Sequence, residues 1–159
     1  VDFREKPFEH TSQSMHIIGQ LFGEESKADE FNTFYQEQLA RVTDVINAQD
    51  DLKRPLVFVE RAGGYSEDCC MSFGNGNFGR FVDLAGGINM GSEFIPGTFG
   101  TVNAEQVIAS DPDQIVVTGG NWDAYVPGGA WIGMGPGSDM AQAEGKLADL
   151  MKRPAYTGV

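Results

Sequence analysis

The sequence has few cysteines and few histidines, and both shortages restrict the chemistry available to it. There are two of each among 159 residues. Cys69 and Cys70 are adjacent, so neither a C-x-x-C redox motif nor the paired spacing of a structural zinc site is present. His10 and His16 are six residues apart, which does not place both on one helical face, and this favours surface or packing roles. We therefore predict no catalytic residues and no resident metal.

Basic residues and long apolar runs are also scarce. The sequence has 11 Lys and Arg and 23 Asp and Glu, which gives a formal net charge of −12 and argues against a nucleic-acid partner. No apolar run reaches the roughly 18 residues that a membrane-spanning helix needs. The chain begins at Val1, without an initiator Met or an apolar signal segment, and ends in the turn-like "RPAYTGV". We expect a fragment of a longer protein.

The first fifty residues predict mostly helix. Val1–Phe3 has the composition of a strand end, and a first helix is expected from an N-cap at Thr11 or Ser12 to Gly23. A second helix is predicted from Ser26 to Ala48, because apolar residues recur on one face. At 1.5 Å per residue it would be roughly 35 Å long.

The remainder alternates between strand and helix patterns. The strands are expected at Leu56–Glu60 and Ile115–Thr118, and the helices at 78–86, at 103–111 and from a Ser138 cap to Met151. Phe78, Phe81, Val82 and Ala85 are expected to face inward, and Asn103 with Gln106 forms a capping box. Two glycine-rich segments, Arg61–Asn77 and Asn121–Gly133, are predicted to be loops. This alternation predicts an α/β fold with a mainly parallel sheet.

Gly74, Gly76 and Gly79 form a formal G-x-G-x-x-G. A dinucleotide site needs these glycines directly after a strand, whereas Gly74 lies about fourteen residues beyond the predicted one. The acidic ribose partner is unclear, since Glu93 is the only nearby candidate. Tight turning before a helix explains the glycines better than nucleotide binding does.

The adjacent cysteines leave two structural alternatives open. Cys69 and Cys70 either form a vicinal disulfide, which would stiffen the loop in an oxidising compartment, or remain small buried apolar side chains. Catalytic redox work is a weaker third possibility.

Both predicted loops carry large aromatic rings and follow the carboxyl ends of strands, where open α/β sheets bind ligands. Such rings offer rigid contact surface to a ligand, although each could equally cover the domain's own core. The candidate ligand-binding residues are Arg61, Tyr65, Phe73, Trp122, Tyr125 and Trp131.

The order of segments resembles the periplasmic binding proteins for iron–siderophore, haem and vitamin B12 uptake, which serve ATP-binding-cassette (ABC) importers. The resemblance covers nearly the whole chain and is most specific in "FVDLAGGIN" and in the Glu105–Gly120 unit. It implies a three-layer Rossmann-like lobe with a mainly parallel sheet, preceded by a long interlobe helix. Residues 1–23 would end the first lobe and start the connector, 24–50 would be the connecting helix, and 51–159 would be the C-terminal lobe without its last strand and helix.

The resemblance also implies roles. The two loops would be walls of an interlobe cleft, and Glu105 would contact arginines of the permease. In such a cleft Arg61 or Arg80 could attract an anionic chelate, and a Tyr65 phenolate could ligate ferric iron or haem. The implied protein is a monomeric, periplasmic, non-enzymatic receptor whose ligand is an iron complex or another metal-containing chelate, with no intrinsic cofactor. A nucleotide-dependent α/β enzyme using the Gly74–Gly79 loop and a thiol-redox protein using Cys69 and Cys70 are the alternatives.

Overall fold

The computed structural model describes residues 1–157 of the chain. The helices are α1 (Pro7–Phe22), α2 (Glu25–Asn47), α3 (Phe78–Leu84), α4 (Gly91–Phe94), α5 (Ala104–Ser110) and α6 (Met140–Leu150). The strands are β1 (Leu56–Glu60), β2 (Met71–Phe73), β3 (Ile88–Asn89), β4 (Phe99–Thr101) and β5 (Gln114–Val117). The predicted α/β class with a mainly parallel sheet is confirmed.

The sheet that organises the molecule has three parallel strands in the order β3-β1-β5. The central strand β1 pairs with β5 in a register that sets Val57 beside Gln114 and Glu60 beside Val117. Phe58 and Val59 are fully buried at its centre, as expected for the apolar run "LVFVE" in a parallel sheet. Because β1 and β5 run in the same direction, the segments that follow them emerge at the same edge.

Helices α1 and α2 form an antiparallel hairpin. The Tyr35 hydroxyl donates to the carbonyl of Pro7 (3.1 Å), and the Asn32 amide donates to the carbonyl of Ser12 (3.1 Å). The hairpin meets α3 through an edge-to-face contact of Phe8 with Phe81, at 4.9 Å between ring centroids. The predicted long helix is therefore present, and Ala28 is its one buried residue, so it lies along the outside of the molecule.

The opening segment differs from its prediction. Val1–Phe3 is not a strand, because Asp2 turns the chain back by accepting hydrogen bonds from the amides of Arg4 (2.8 Å) and Glu5 (3.1 Å). Helix α1 then begins at Pro7 rather than after Thr11 or Ser12. Proline suits the first turn of a helix, where its missing N–H needs no partner.

Two further predictions are wrong in detail. The segment Arg61–Asn77 contains β2, which pairs antiparallel with the unpredicted β4. The N-cap of α6 is Asp139, not Ser138; its carboxylate accepts a hydrogen bond from the amide of Gln142 (3.2 Å).

Two of the α3 side chains expected to face inward are only partly covered. Phe78 and Phe81 are 38% and 39% exposed, and they pack edge-to-face against each other. The capping box of α5 is confirmed: Asn103 accepts from the amide of Glu105, and Gln106 accepts from the amide of Asn103. Within residues 1–157, no helix is both long and apolar enough to cross a membrane.

Candidate functional site

The candidate site lies at the carboxyl edge of the β1–β5 pair. We call Arg61–Cys70, which follows β1, the Tyr65 loop, and Asn121–Gly133, which follows β5, the Trp122 loop. Their shared edge is the position at which open α/β sheets bind ligands. The sequence prediction that both loops rise from one edge is confirmed.

Main-chain hydrogen bonds join the two loops at their bases. The Gly63 amide donates to Thr118 (2.8 Å), the Ile132 amide donates to Gly63 (3.0 Å), and the Gly120 amide donates to Ile132 (2.9 Å). Gly64 has a φ of +77°, and a Cβ there would collide with the carbonyl of Ala130. Glycine therefore lets the Tyr65 loop lie directly against the Trp122 loop.

Three of the predicted aromatic residues form a continuous row across the loops. The rings of Tyr65 and Trp122 meet edge-to-face at 5.4 Å between centroids, and Trp122 and Tyr125 lie 6.3 Å apart. Tyr65 is 38% exposed and Tyr125 is 74% exposed, so the row presents ring surface to solvent. The indole N–H of Trp122 is buried without a hydrogen-bond partner among residues 1–157. The middle residue of the row therefore carries a hydrogen-bond donor that has no acceptor among the described residues.

Phe73 does not belong to the row. It is 4% exposed on β2 and packs between the rings of Phe78 and Phe99, so we remove it from the candidate ligand-binding set. The sequence suggested an exposed position because the antiparallel pairing of β2 was not recognised.

The remaining predicted residues contact other parts of the molecule. The guanidinium of Arg61 lies over the ring of Phe99, 4.9 Å from its centroid. The ring of Trp131 lies beneath the ammonium group of Lys146 on α6 (4.4 Å), and its indole N–H donates to the carbonyl of Val126. Arg80 pairs with Glu9 on α1 at 3.1 Å, and therefore links α3 to the hairpin. Direct ligand contact by Arg61 and Trp131 stays a prediction.

The glycine motif packs against the protein itself. A Cβ on Gly79 would collide with the carbonyl of Gly74 and with the side-chain amide of Asn89, which is buried and donates to Gly74 (2.8 Å). These glycines therefore allow close packing at the start of α3. The space beside them is occupied by backbone and side-chain atoms of the protein itself, which disfavours the nucleotide alternative.

A buried polar cluster that the sequence did not predict lies beneath the Tyr65 loop. The carboxylate of Glu60, 1% exposed, accepts a hydrogen bond from the Tyr156 hydroxyl (2.7 Å) and one from the Arg153 guanidinium (3.4 Å). Burial raises the pKa of Glu60, against the opposing effects of Tyr156 and Arg153. An acid that ends a buried apolar strand was the available sequence signal, since such a group needs partners.

Cys69 and Cys70 are joined in a disulfide next to this cluster. The sulfur of Cys69 lies 3.4 Å from the hydroxyl oxygen of Tyr156. One carboxylate oxygen of Glu60 and the two sulfur atoms lie within 4.8 Å of one another. Thiolates ligate metal ions and disulfide sulfurs have lost that charge, so the group fits a structural cluster better than a metal site.

Glu105 belongs to neither loop and lies in the first turn of α5. Its side chain is exposed, and its amide donates to the capping oxygen of Asn103 (2.8 Å). The position leaves the carboxylate available for an outside partner.

The comparisons with known proteins agree with this architecture. The family model described as "Periplasmic binding protein" matches residues 1–159. No curated protein sequence matches the chain. Similar solved structures include a TroA-like periplasmic binding protein, FepB, from Veillonella parvula: 22% identity, a TM-score of 0.79, and 94% of this chain against 42% of that one.

Two haem-related structures are also similar. A periplasmic heme binding protein from Pseudomonas aeruginosa is 20% identical, with a TM-score of 0.63, and the match covers 94% of this chain and 46% of that one. IsdE from S. aureus, solved in complex with heme, is 16% identical, with a TM-score of 0.64, and the match covers 96% and 51%. The chain thus spans about half or less of these proteins, and at such identities the likeness shows the fold. On the family match, this chain belongs to the periplasmic binding proteins.

Proposed function

We propose that the chain is the ligand-binding lobe of an extracytoplasmic receptor that delivers a metal-containing chelate to an ABC importer. Haem, a ferric siderophore and a cobalamin-like compound are the candidate ligand classes. The observation that carries the proposal is the Tyr65–Trp122–Tyr125 row at the shared edge of β1 and β5. The family is a class of solute-binding proteins, and a receptor of this kind needs no catalytic group.

The chemistry of the row suits a large, partly flat ligand. Aromatic rings pack well against a macrocycle or a catecholate, and the Tyr65 hydroxyl is the type of oxygen ligand that ferric iron accepts. Two of the similar structures are described as binding heme, which supports a haem-like ligand among the alternatives. On this proposal the Tyr65 and Trp122 loops form one wall of a cleft, and a second lobe supplies the other.

A partner surface is proposed at α5. The exposed carboxylate of Glu105 would pair with arginines of the importer's permease, and the chain would act as a monomer in the periplasm or its equivalent. Both assignments follow from the family resemblance and from the open position of this residue.

Titration with hemin, ferrichrome, cyanocobalamin, ATP and NAD, followed by tryptophan fluorescence and absorption, tests the proposed ligand class. We expect one of the metal chelates to bind. Of these chelates hemin has an open coordination position, so if hemin binds, Tyr65→Phe should alter the absorption spectrum of the complex and weaken binding about tenfold, because the phenolate ligand is lost. Tyr35→Phe, on α2 away from the site, is the matched control and should change neither property. Nucleotide binding without chelate binding would overturn the proposal.

Loss of ring surface is measured separately with Trp122→Leu. An aromatic contact contributes about 0.5–1.5 kcal/mol beyond the area that it buries, so affinity should fall several-fold without a change in the ligand's absorption spectrum. Unaltered affinity in both Tyr65→Phe and Trp122→Leu would remove the aromatic row from the site.

A further inference from the structure

The Tyr65 loop is well fixed at its start. The amides of Ala62 and Gly63 donate to Thr118, and the Tyr65 amide donates to the carbonyl of Ala62. These bonds anchor the residues that leave β1. They do not extend to the part of the loop that follows Tyr65.

The second half of the loop depends on a different element. Two described residues from outside the loop lie within hydrogen-bonding distance of Ser66–Cys69. Both belong to the segment that follows α6. The Arg153 guanidinium donates to the carbonyl of Ser66, and the Tyr156 hydroxyl lies against the sulfur of Cys69. The amide of Asp68 bonds only within the loop, to the hydroxyl of Ser66. The segment after α6 therefore holds Ser66 and Cys69 from below, while the carbonyl of Cys70, at the end of the loop, accepts from the amide of Val102 (2.9 Å).

Glu60 determines where both of those side chains lie. Its two carboxylate oxygens bind Arg153 and Tyr156 separately, and the carboxylate itself ends the central strand of the sheet. Arg153 is suited to this role because its planar guanidinium presents several donors in fixed directions. One nitrogen faces Glu60 and another faces Ser66, so a single side chain connects the rigid sheet to the residue next to Tyr65.

We propose that Arg153 is a positioning residue for the ligand-binding wall: bound to Glu60, it holds the Ser66 carbonyl and thereby fixes the neighbouring Tyr65 ring against Trp122. The expected effect of Arg153 on ligand affinity rests on the proposed function, whereas its expected effect on the order of the loop does not. A loop that is ordered before the ligand arrives loses less conformational entropy on binding. Affinity for a chelate should therefore depend on a residue that does not touch it.

Arg153→Met is the primary test, with amide hydrogen exchange measured on the unliganded chain. We expect exchange at the amides of Tyr65 and Asp68, which are hydrogen-bonded within the loop on either side of Ser66, to accelerate about tenfold, because opening of the loop no longer has to break the bond from Arg153 to the Ser66 carbonyl. Exchange at Phe58 and Val59 in the sheet should stay unchanged. Lys152→Met is the matched control, because Lys152 is the adjacent residue and its pair with Asp149 lies on the solvent-exposed surface.

Two further variants keep the test decisive. Arg153→Met leaves the buried Glu60 without its cation, so Glu60→Gln/Arg153→Met removes that charge and preserves folding if the single variant unfolds. Arg153→Lys keeps the charge but loses the fork that reaches two acceptors, and we expect it to restore stability without restoring slow loop exchange. Wild-type exchange rates at the Tyr65 and Asp68 amides in the double variant would overturn the proposal.

Hemin titration separates this inference from the proposed function. If wild type binds hemin, Arg153→Met should weaken binding about tenfold while Lys152→Met leaves it unchanged. If wild type binds none of the chelates, the proposed function fails and hydrogen exchange alone decides whether Arg153 orders the loop. Faster loop exchange with unchanged hemin affinity would reject the positioning role.

Discussion

Glu60 shows how a single buried acid links stability to pH. Burial raises its pKa from the ordinary value of 4.5, so the folded protein holds this proton more tightly than the unfolded chain does. The stabilisation from the protonated carboxyl is complete below the unfolded pKa, and it is lost as pH rises through the folded pKa. This residue therefore contributes a loss of stability on going from acid towards neutral pH.

Glu60→Gln tests that sign. Glutamine preserves the shape and can still accept from Tyr156, but it does not titrate. The free energy of unfolding of wild type, measured by urea denaturation across the acid to neutral range, should fall relative to the variant as pH rises. Glu67→Gln changes an exposed residue of the Tyr65 loop, and its free energy of unfolding should vary with pH as that of wild type does. Parallel curves for wild type and Glu60→Gln would contradict the prediction.

Individual site residues were partly predictable from sequence. Tyr65, Trp122 and Tyr125 were named as candidates because their loops follow strands that end at the same edge of the sheet, and the structure joins them in a row. Arg153 and Tyr156 were missed because their importance comes from Glu60, which is more than ninety positions away in the chain. No local pattern encodes such a pairing.

At the scale of elements, α5 offers the cleanest test of a local signal. Asn103→Ala removes the acceptor for the amide of Glu105 and should lower the free energy of unfolding by about 0.5–2 kcal/mol, measured by urea denaturation. Asn103→Asp retains a side-chain oxygen and should stay within a few tenths of a kcal/mol of wild type. Equal losses in the two variants would show that the cap itself contributes little.

The elements that sequence reasoning found are those whose determinants are local. The capping box of α5 and the apolar run of β1 each depend on a few adjacent residues. Strands β2 and β4 were missed because each has three residues and exists only by pairing with the other, from Phe73 opposite Phe99 to Met71 opposite Thr101. Isolated strands of this length have no stable pattern of their own.

At the scale of the whole molecule, the proposed ligand-binding wall and α5 are different segments of the chain, so their proposed functions should be separable by mutation. Glu105→Lys reverses the charge proposed to meet the permease, so chelate-stimulated ATP hydrolysis by the reconstituted importer should fall strongly. Chelate affinity of the receptor should be unchanged, since Glu105 lies on α5 and not on either loop. Glu144→Lys, an exposed charge reversal on α6, is the control.

Two outcomes would contradict this prediction for Glu105→Lys. Equal ATP hydrolysis with Glu105→Lys and wild type would remove α5 from the docking surface. Weaker chelate binding in Glu105→Lys would mean that the substitution disturbs the lobe itself, because the first turn of a helix favours an acid over a base.

The hydrogen bonds at the bases of the Tyr65 and Trp122 loops run between main-chain atoms of Gly63, Thr118, Gly120 and Ile132, and the bond from Ile132 to Gly63 joins one loop to the other. Such a frame does not depend on which rings it displays. If the loops bind a chelate as proposed, exchanging Tyr65, Trp122 or Tyr125 for other side chains should therefore redirect selectivity while the scaffold persists, and the lobe would then be a practical starting point for engineered sensors.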